Sequence, residues 1–220
     1  MNRFVIVGAA LLALAACRNS VEFNRPQPER LALGQVTLQE IAASYGRPFS
    51  ERTTVISAPA AAGTGGGPGA TGTFKILNYR YVPPGELMFS GAPASKALAF
   101  EFFNDRLIAY NFISSVETDS SNFDDAKVEQ LRNGDTTREQ IEALLGPPGG
   151  RAIFPSAGIP LGEERWFYEH VSGSFSERDT KELKLSIGSD GRLRDYSFSR
   201  RVGPPPVDRR VTPIPIIVPR

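Results

Sequence analysis

The sequence predicts an α+β protein: two tandem helix-helix-three-strand repeats forming antiparallel sheet, with the helices on one face. Three observations carry this expectation. A motif with five matched positions recurs 100 residues further along the chain. Downstream of each copy, apolar residues alternate with polar ones, the period of a strand with one buried face. The 21 glycines and 18 prolines cluster between those segments, which marks loops rather than disorder throughout.

The chain opens with Arg3 and an uncharged apolar run from Phe4 to Ala16. That is roughly 13 residues, the length of a signal-peptide core and too short for a bilayer-crossing helix of about 20. It ends Leu14, Ala15, Ala16, Cys17, and Cys17 is the only cysteine. No disulfide can therefore form within the chain. Residues 1–16 read as a signal peptide and 17–23 as a tether. With folding expected to start near Asn24, seven residues at about 3.4 Å each give a reach of roughly 25 Å.

In the first copy, residues 24–115, Gly34, Thr37, Ile41, Gly46 and Pro48 carry the motif. In the second, residues 122–202, they are Gly134, Thr137, Ile141, Gly146 and Pro148. Each threonine stands where a helix N-cap belongs, with Glu40 or Gln140 three residues later to complete a capping box. Each glycine at 46 and 146 suits the positive-φ residue after a helix, and the following proline stops it. Ile141, Leu144 and Leu145 make the apolar stripe. A preceding helix is expected over about Phe123–Asn133, with Val128 and Leu131 facing in. Pro26 and Pro28 should shorten its counterpart in the first copy.

Three strands follow in each copy. Leu77, Tyr79 and Tyr81 parallel Trp166, Tyr168 and His170. Leu98, Phe100 and Phe102 parallel Leu183, Leu185 and Ile187. Leu107, Tyr110 and Phe112 parallel Leu193, Tyr196 and Phe198. Turns at Asn104–Asp105 and Ser189–Gly191 separate the last two strands. Residues 58–73, rich in Gly and Ala, read as a flexible loop, and residues 203–220 as a Pro-rich extended tail. Whether the two repeats share one sheet is open at this level.

The Leu14–Cys17 stretch resembles the lipobox of bacterial lipoproteins, in which the cysteine takes a diacylglycerol and a further acyl chain. Each buried methylene contributes about 0.8 kcal/mol, so several chains anchor durably. The Gly-x-x-Thr…Ile…Leu-Gly-x-Pro pattern, with Trp166–Tyr168 and the Ser189–Gly191 turn, resembles the SmpA/OmlA (BamE-like) family. The best-known member of that family is a small outer-membrane lipoprotein of the machinery that folds β-barrel proteins. The order of elements also resembles the β-lactamase inhibitory protein arrangement of paired helix-helix-sheet repeats.

Those resemblances imply a membrane-anchored, non-enzymatic envelope lipoprotein with Cys17 as the lipid-attachment site. It would face the periplasm from the outer membrane and bind an envelope protein, the β-barrel assembly machinery among the candidates. An inhibitor or sensor that binds an enzyme or small envelope ligand is the alternative. Residue chemistry supplies no competing reading. A net charge of +1, about zero once Arg3 is removed, argues against a nucleic-acid partner. The Gly67–Gly72 pattern lacks the preceding strand and following helix that a dinucleotide site needs. His170 is the only histidine and is expected on the sheet surface, with Glu169 pointing to the opposite face. Asp124–Asp125 read as helix-start charges and Glu163–Glu164 as a solvated loop. No catalytic set, cofactor site or metal-ligand spacing emerges. Leu87, Met88 and Phe89 are an apolar loop segment that either folds under the sheet or meets a partner.

Overall fold

The computed structural model describes residues 22–58, 70–84, 94–156, 158–174 and 176–204. Cys17, the Leu87–Phe89 segment, most of the 58–73 loop and nearly all of the tail lie outside the described residues. Within them, eight antiparallel strands form one sheet in simple sequential order. They are β1 (Ser50–Ala58), β2 (Ala70–Tyr81), β3 (Lys96–Phe103), β4 (Arg106–Ser114), β5 (Gly150–Ile153), β6 (Glu164–Gly173), β7 (Arg178–Ile187) and β8 (Leu193–Gly203). Among the described residues the α-helices are two, α1 (Leu38–Tyr45) and α2 (Arg138–Leu145).

This corrects the expected fold class. The helix-helix-three-strand α+β repeat is replaced by a β-rich, continuous eight-stranded sheet, in which each half has one α-helix and four strands. The helix expected over Phe123–Asn133 is a 3-10 segment, Asp125–Gln130, and its counterpart is the three-residue Pro28–Arg30. Their hydrogen bonds run to the third residue back, as in Leu131 N–H to Val128 O at 3.1 Å and Leu31 N–H to Pro28 O at 3.1 Å. Spacing Val128 and Leu131 three apart suits a 3-10 turn as well as an α-helix, so the apolar pattern alone does not separate them. The strands at the start of each half, β1 and β5, have no apolar alternation to reveal them. The expected loop 58–73 is also shorter, because Ala58 ends β1 and Ala70–Thr73 begin β2.

Both α-helices start on a capping box. Glu40 N–H donates to Thr37 Oγ1 at 3.2 Å while Thr37 N–H donates to Glu40 Oε2 at 2.7 Å. Gln140 and Thr137 make the same exchange. Gly46 ends α1 at φ 69° and ψ −151°, a region essentially reserved for glycine.

The other contacts also come in pairs. The Tyr79 hydroxyl donates to Gly46 O at 3.1 Å, and that of Tyr168 to Gly146 O at 2.8 Å. Gly34 N–H donates to Leu107 O and Gly134 N–H to Leu193 O, each at 2.7 Å. Two near-buried lysines repeat a third contact. Lys96 reaches Phe23 O and Asp119, while Lys181 reaches Phe123 O and Asp125.

Each α-helix covers its own core on the same face of the sheet. Ile41 packs with Leu77, Tyr79, Leu98, Phe100 and Phe102. Ile141 and Leu145 pack with Trp166, Leu183, Leu185 and Ile187. The halves meet through β5, which pairs Gly150–Ala152 with Ala109–Asn111 of β4. Glycine is required there by proximity: a β-carbon on Gly150 would lie 2.6 Å from Tyr110 O and 2.9 Å from Asn111 Cα. Both neighbours are backbone and cannot swing aside. Gly150→Ala is therefore expected to cost about 2 kcal/mol through overpacking. Urea unfolding checks this, and an unchanged midpoint would remove the close approach as a constraint.

Candidate interaction face

The strand period of two divides each strand between the faces. The even-numbered residues Trp166, Tyr168 and His170 of β6 point to the helices. Arg165, Phe167, Glu169 and Val171 point to the other face, which no helix covers. Across it run Ile76 and Arg80 of β2, Ala97, Ala99 and Glu101 of β3, and Asn111 and Ile113 of β4, as the register requires. The β5–β6 loop crosses the middle of this face. Its Ile159 packs on Ala109, Ala152 and Phe167, and Ser156 Oγ donates to Glu101 Oε2 at 3.3 Å.

Two half-buried carboxylates therefore sit on the helix-free face, on strands from different halves. Burial pushes the Glu101 carboxyl up from its ordinary value, opposed by the Ser156 hydrogen bond. Burial also raises Glu169, with the neighbouring Glu182 adding to it, while the hydrogen bond from Asn111 at 3.0 Å acts against the rise. A face of half-buried apolar and polar side chains, rather than fully solvated charge, is what a protein surface offers to a partner. Glu101 and Asn111 were not singled out by sequence because each is a lone polar residue in an alternating strand. The register alone brings them near Glu169 and the loop.

His170 lies elsewhere. It is buried at 7% exposure on the helix-bearing face, not at the sheet surface, and Glu169 does point the opposite way. Its Nδ1 is 3.2 Å from Ser114 O, so Nδ1 carries the proton and donates. Cross-strand from it stands Lys181. Among the described residues no group of three His, Cys, Asp or Glu side chains could hold a metal ion.

Burial lowers the His170 pKa, and Lys181 repels its charged form; the Ser114 hydrogen bond and Asp179 favour that form. A folded value below the unfolded one means stability is full above the ordinary histidine range and is lost as pH falls through the lowered value. Glu101 and Glu169, being raised, act in the opposite sense: their contribution is lost as pH rises. His170→Gln is accordingly expected to shrink the drop in melting temperature between pH 7.5 and 5. Both proteins share the two glutamates, so their effect cancels in the comparison. An equal drop in both would sink the assignment.

The acid pairs divide. Asp124 Oδ1 accepts from Ala126 N–H at 3.1 Å, as a helix-start charge should. Asp125 instead ties Lys181 at 2.7 Å to Arg200 at 3.1 Å. Glu164 corrects the solvated-loop expectation. It opens β6, is 6% exposed, and is held by Arg151 and by Arg138 at 3.2 Å. Among the described residues no helix is long and apolar enough to cross a membrane.

No family model matches the chain. No curated protein matches it in sequence either. Among solved structures it is similar to a "putative beta-lactamase inhibitor protein" from Streptococcus mutans, at 15% identity and a TM-score of 0.39. That alignment covers 74% of this chain and 82% of the other. At that score the likeness carries no argument about function.

Proposed function

We propose that this chain is a membrane-anchored, non-enzymatic bacterial envelope lipoprotein that binds another protein through the helix-free face of its sheet. The observation that carries the reading is the one-sidedness of the architecture: both α-helices cover one face, and the other holds half-buried side chains from both halves. The end of the signal-like segment at Leu14–Cys17 supports lipid attachment at Cys17. The pattern around Gly134–Pro148 supports kinship with the SmpA/OmlA domain, and through it a role in outer-membrane protein assembly or envelope maintenance. A short tether after Cys17 keeps the first half close to the membrane surface.

Two measurements test this. The wild-type protein is expected to take up labelled palmitate, and Cys17→Ser to take up none. A photo-crosslinking residue at Ala99 or Ala97, on the helix-free face, is expected to capture an envelope protein in native membranes. Capture only from α1 or α2 positions would sink the assignment of the face. Label retained by Cys17→Ser would sink the anchor.

A further inference from the structure

The helix-free face has a built recess at one end, and it arises from the shortness of β5. That strand pairs only with Ala109–Asn111 on one side and Glu164–Phe167 on the other. Past it, at Ile113 and Val171, β4 and β6 have no strand between them. On the helix side the opening is closed by side-chain hydrogen bonds. Ser121 Oγ donates to Glu169 O at 2.6 Å, and His170 Nδ1 to Ser114 O at 3.2 Å. What remains on the other side is a trough of about 550 Å³.

Its floor and rims have a defined chemistry. Small side chains line the floor, the apolar Ala97, Ile113 and Val171 beside three serines, with Arg80 at one rim and Arg178 at the other. Register sets this order, since Arg80 pairs with Ala97, Ala97 with Ile113, and Gly173 with Arg178. Neither arginine has an ion-pair partner among the described residues. The strand acids that the register places on this face, Glu101, Glu169, Glu182 and Asp195, sit further along the strands, and none lines the trough. Two cations with no ion-pair partner among the described residues thus flank a small, uncharged floor.

The spacing selects the occupant. Arg80 on β2 and Arg178 on β7 are separated by three ordinary strand spacings and the β4–β6 opening, roughly 20 Å in all. Backbone positions that far apart favour an occupant that runs across the strands over a single small anion. An extended chain of about six residues, at about 3.3 Å per residue, spans that distance. We propose that the trough seats an extended acidic segment of a partner protein, with carboxylates at both rims and small uncharged residues on the floor. This rests on the reading that the helix-free face binds protein, and names the chemistry of what it binds.

Fluorescence anisotropy with the full chain in detergent tests it, the probe being a labelled eight-residue peptide with two glutamates at each end and alanines between. Saturable binding is expected, with none for the matching lysine peptide. Arg80→Glu with Arg178→Glu is expected to weaken it by about tenfold or more, whereas the equal charge change Arg47→Glu with Arg52→Glu costs less than about threefold. No saturable binding, an equal loss in both double variants, or displacement by inorganic phosphate would overturn the proposal. So would loss of the peptide in phosphatidylglycerol vesicles through the same two arginines, which would turn them toward lipid. Capture of an envelope protein from Ala99 without peptide binding rejects the acidic segment alone. Failure of both rejects the protein-binding reading as well.

Discussion

Phe100→Ala is expected to lower the stability of this protein by about 4 kcal/mol, the largest effect of any single truncation considered. Phe100 is fully buried on β3. Its ring lies 4.9 Å from that of Tyr45 on α1 and 6.0 Å from that of Tyr79 on β2, both edge-on. The substitution removes transfer free energy, opens a void that the rigid neighbouring rings cannot fill, and breaks these two ring contacts and a third with Phe102 at 6.5 Å. Because one sheet runs through both halves, the loss should appear in the unfolding of the whole chain. Chemical denaturation followed by the single tryptophan, Trp166 in the other half, reads this directly. A Trp166 transition that stays put while the far-ultraviolet signal shifts would show that the halves unfold independently.

Glu164→Ala is expected to cost about 3 kcal/mol and to lower the melting temperature by roughly 6–12 °C. Its carboxylate, 7% exposed, is shared by Arg151 on β5 and Arg138 at the start of α2. Removing it leaves two cations without their counter-charge beside Trp166, whose ring lies 5.6 Å from the Arg151 guanidinium. Both arginines keep some water contact, at 27% and 37% exposure, which places the cost at the low end for a broken buried pair. Replacing the pair together, as Arg151→Met with Glu164→Leu, should cost less than Glu164→Ala alone, since no charge is then stranded. A loss under about 1 kcal/mol for Glu164→Ala would show that the arginines find water instead.

The parts of the candidate site that sequence made legible were those with a local signature. Glu169 and His170 fall on opposite faces because adjacent strand residues must. Their surroundings were not legible. Glu164 follows Glu163 in a stretch that reads as solvated, and only the return of β6 beside β5 and α2 buries it. Arg80 and Arg178 are 98 positions apart, and nothing local says that they flank one recess. The same limit applied to the fold. β1 is an edge strand exposed along Glu51–Val55, so no core selects apolar residues along it. β5 begins at Gly150, directly after Gly149 and two prolines, a turn signature that here serves close strand approach.

The sequence by itself determined the recurrence of the motif, the two capped helices and their glycine stops, and the six strands that bury one face. All of these are written in contacts between residues a few positions apart, or in the period of a surface facing a core. Only the tertiary structure decided that the first expected helix of each half is a 3-10 turn and that each half has a fourth strand. It alone joined the halves into one sheet through β5 and left a trough where that strand ends. Those features depend on which strand edges meet across long stretches of chain, and that pairing has no local energetic signature.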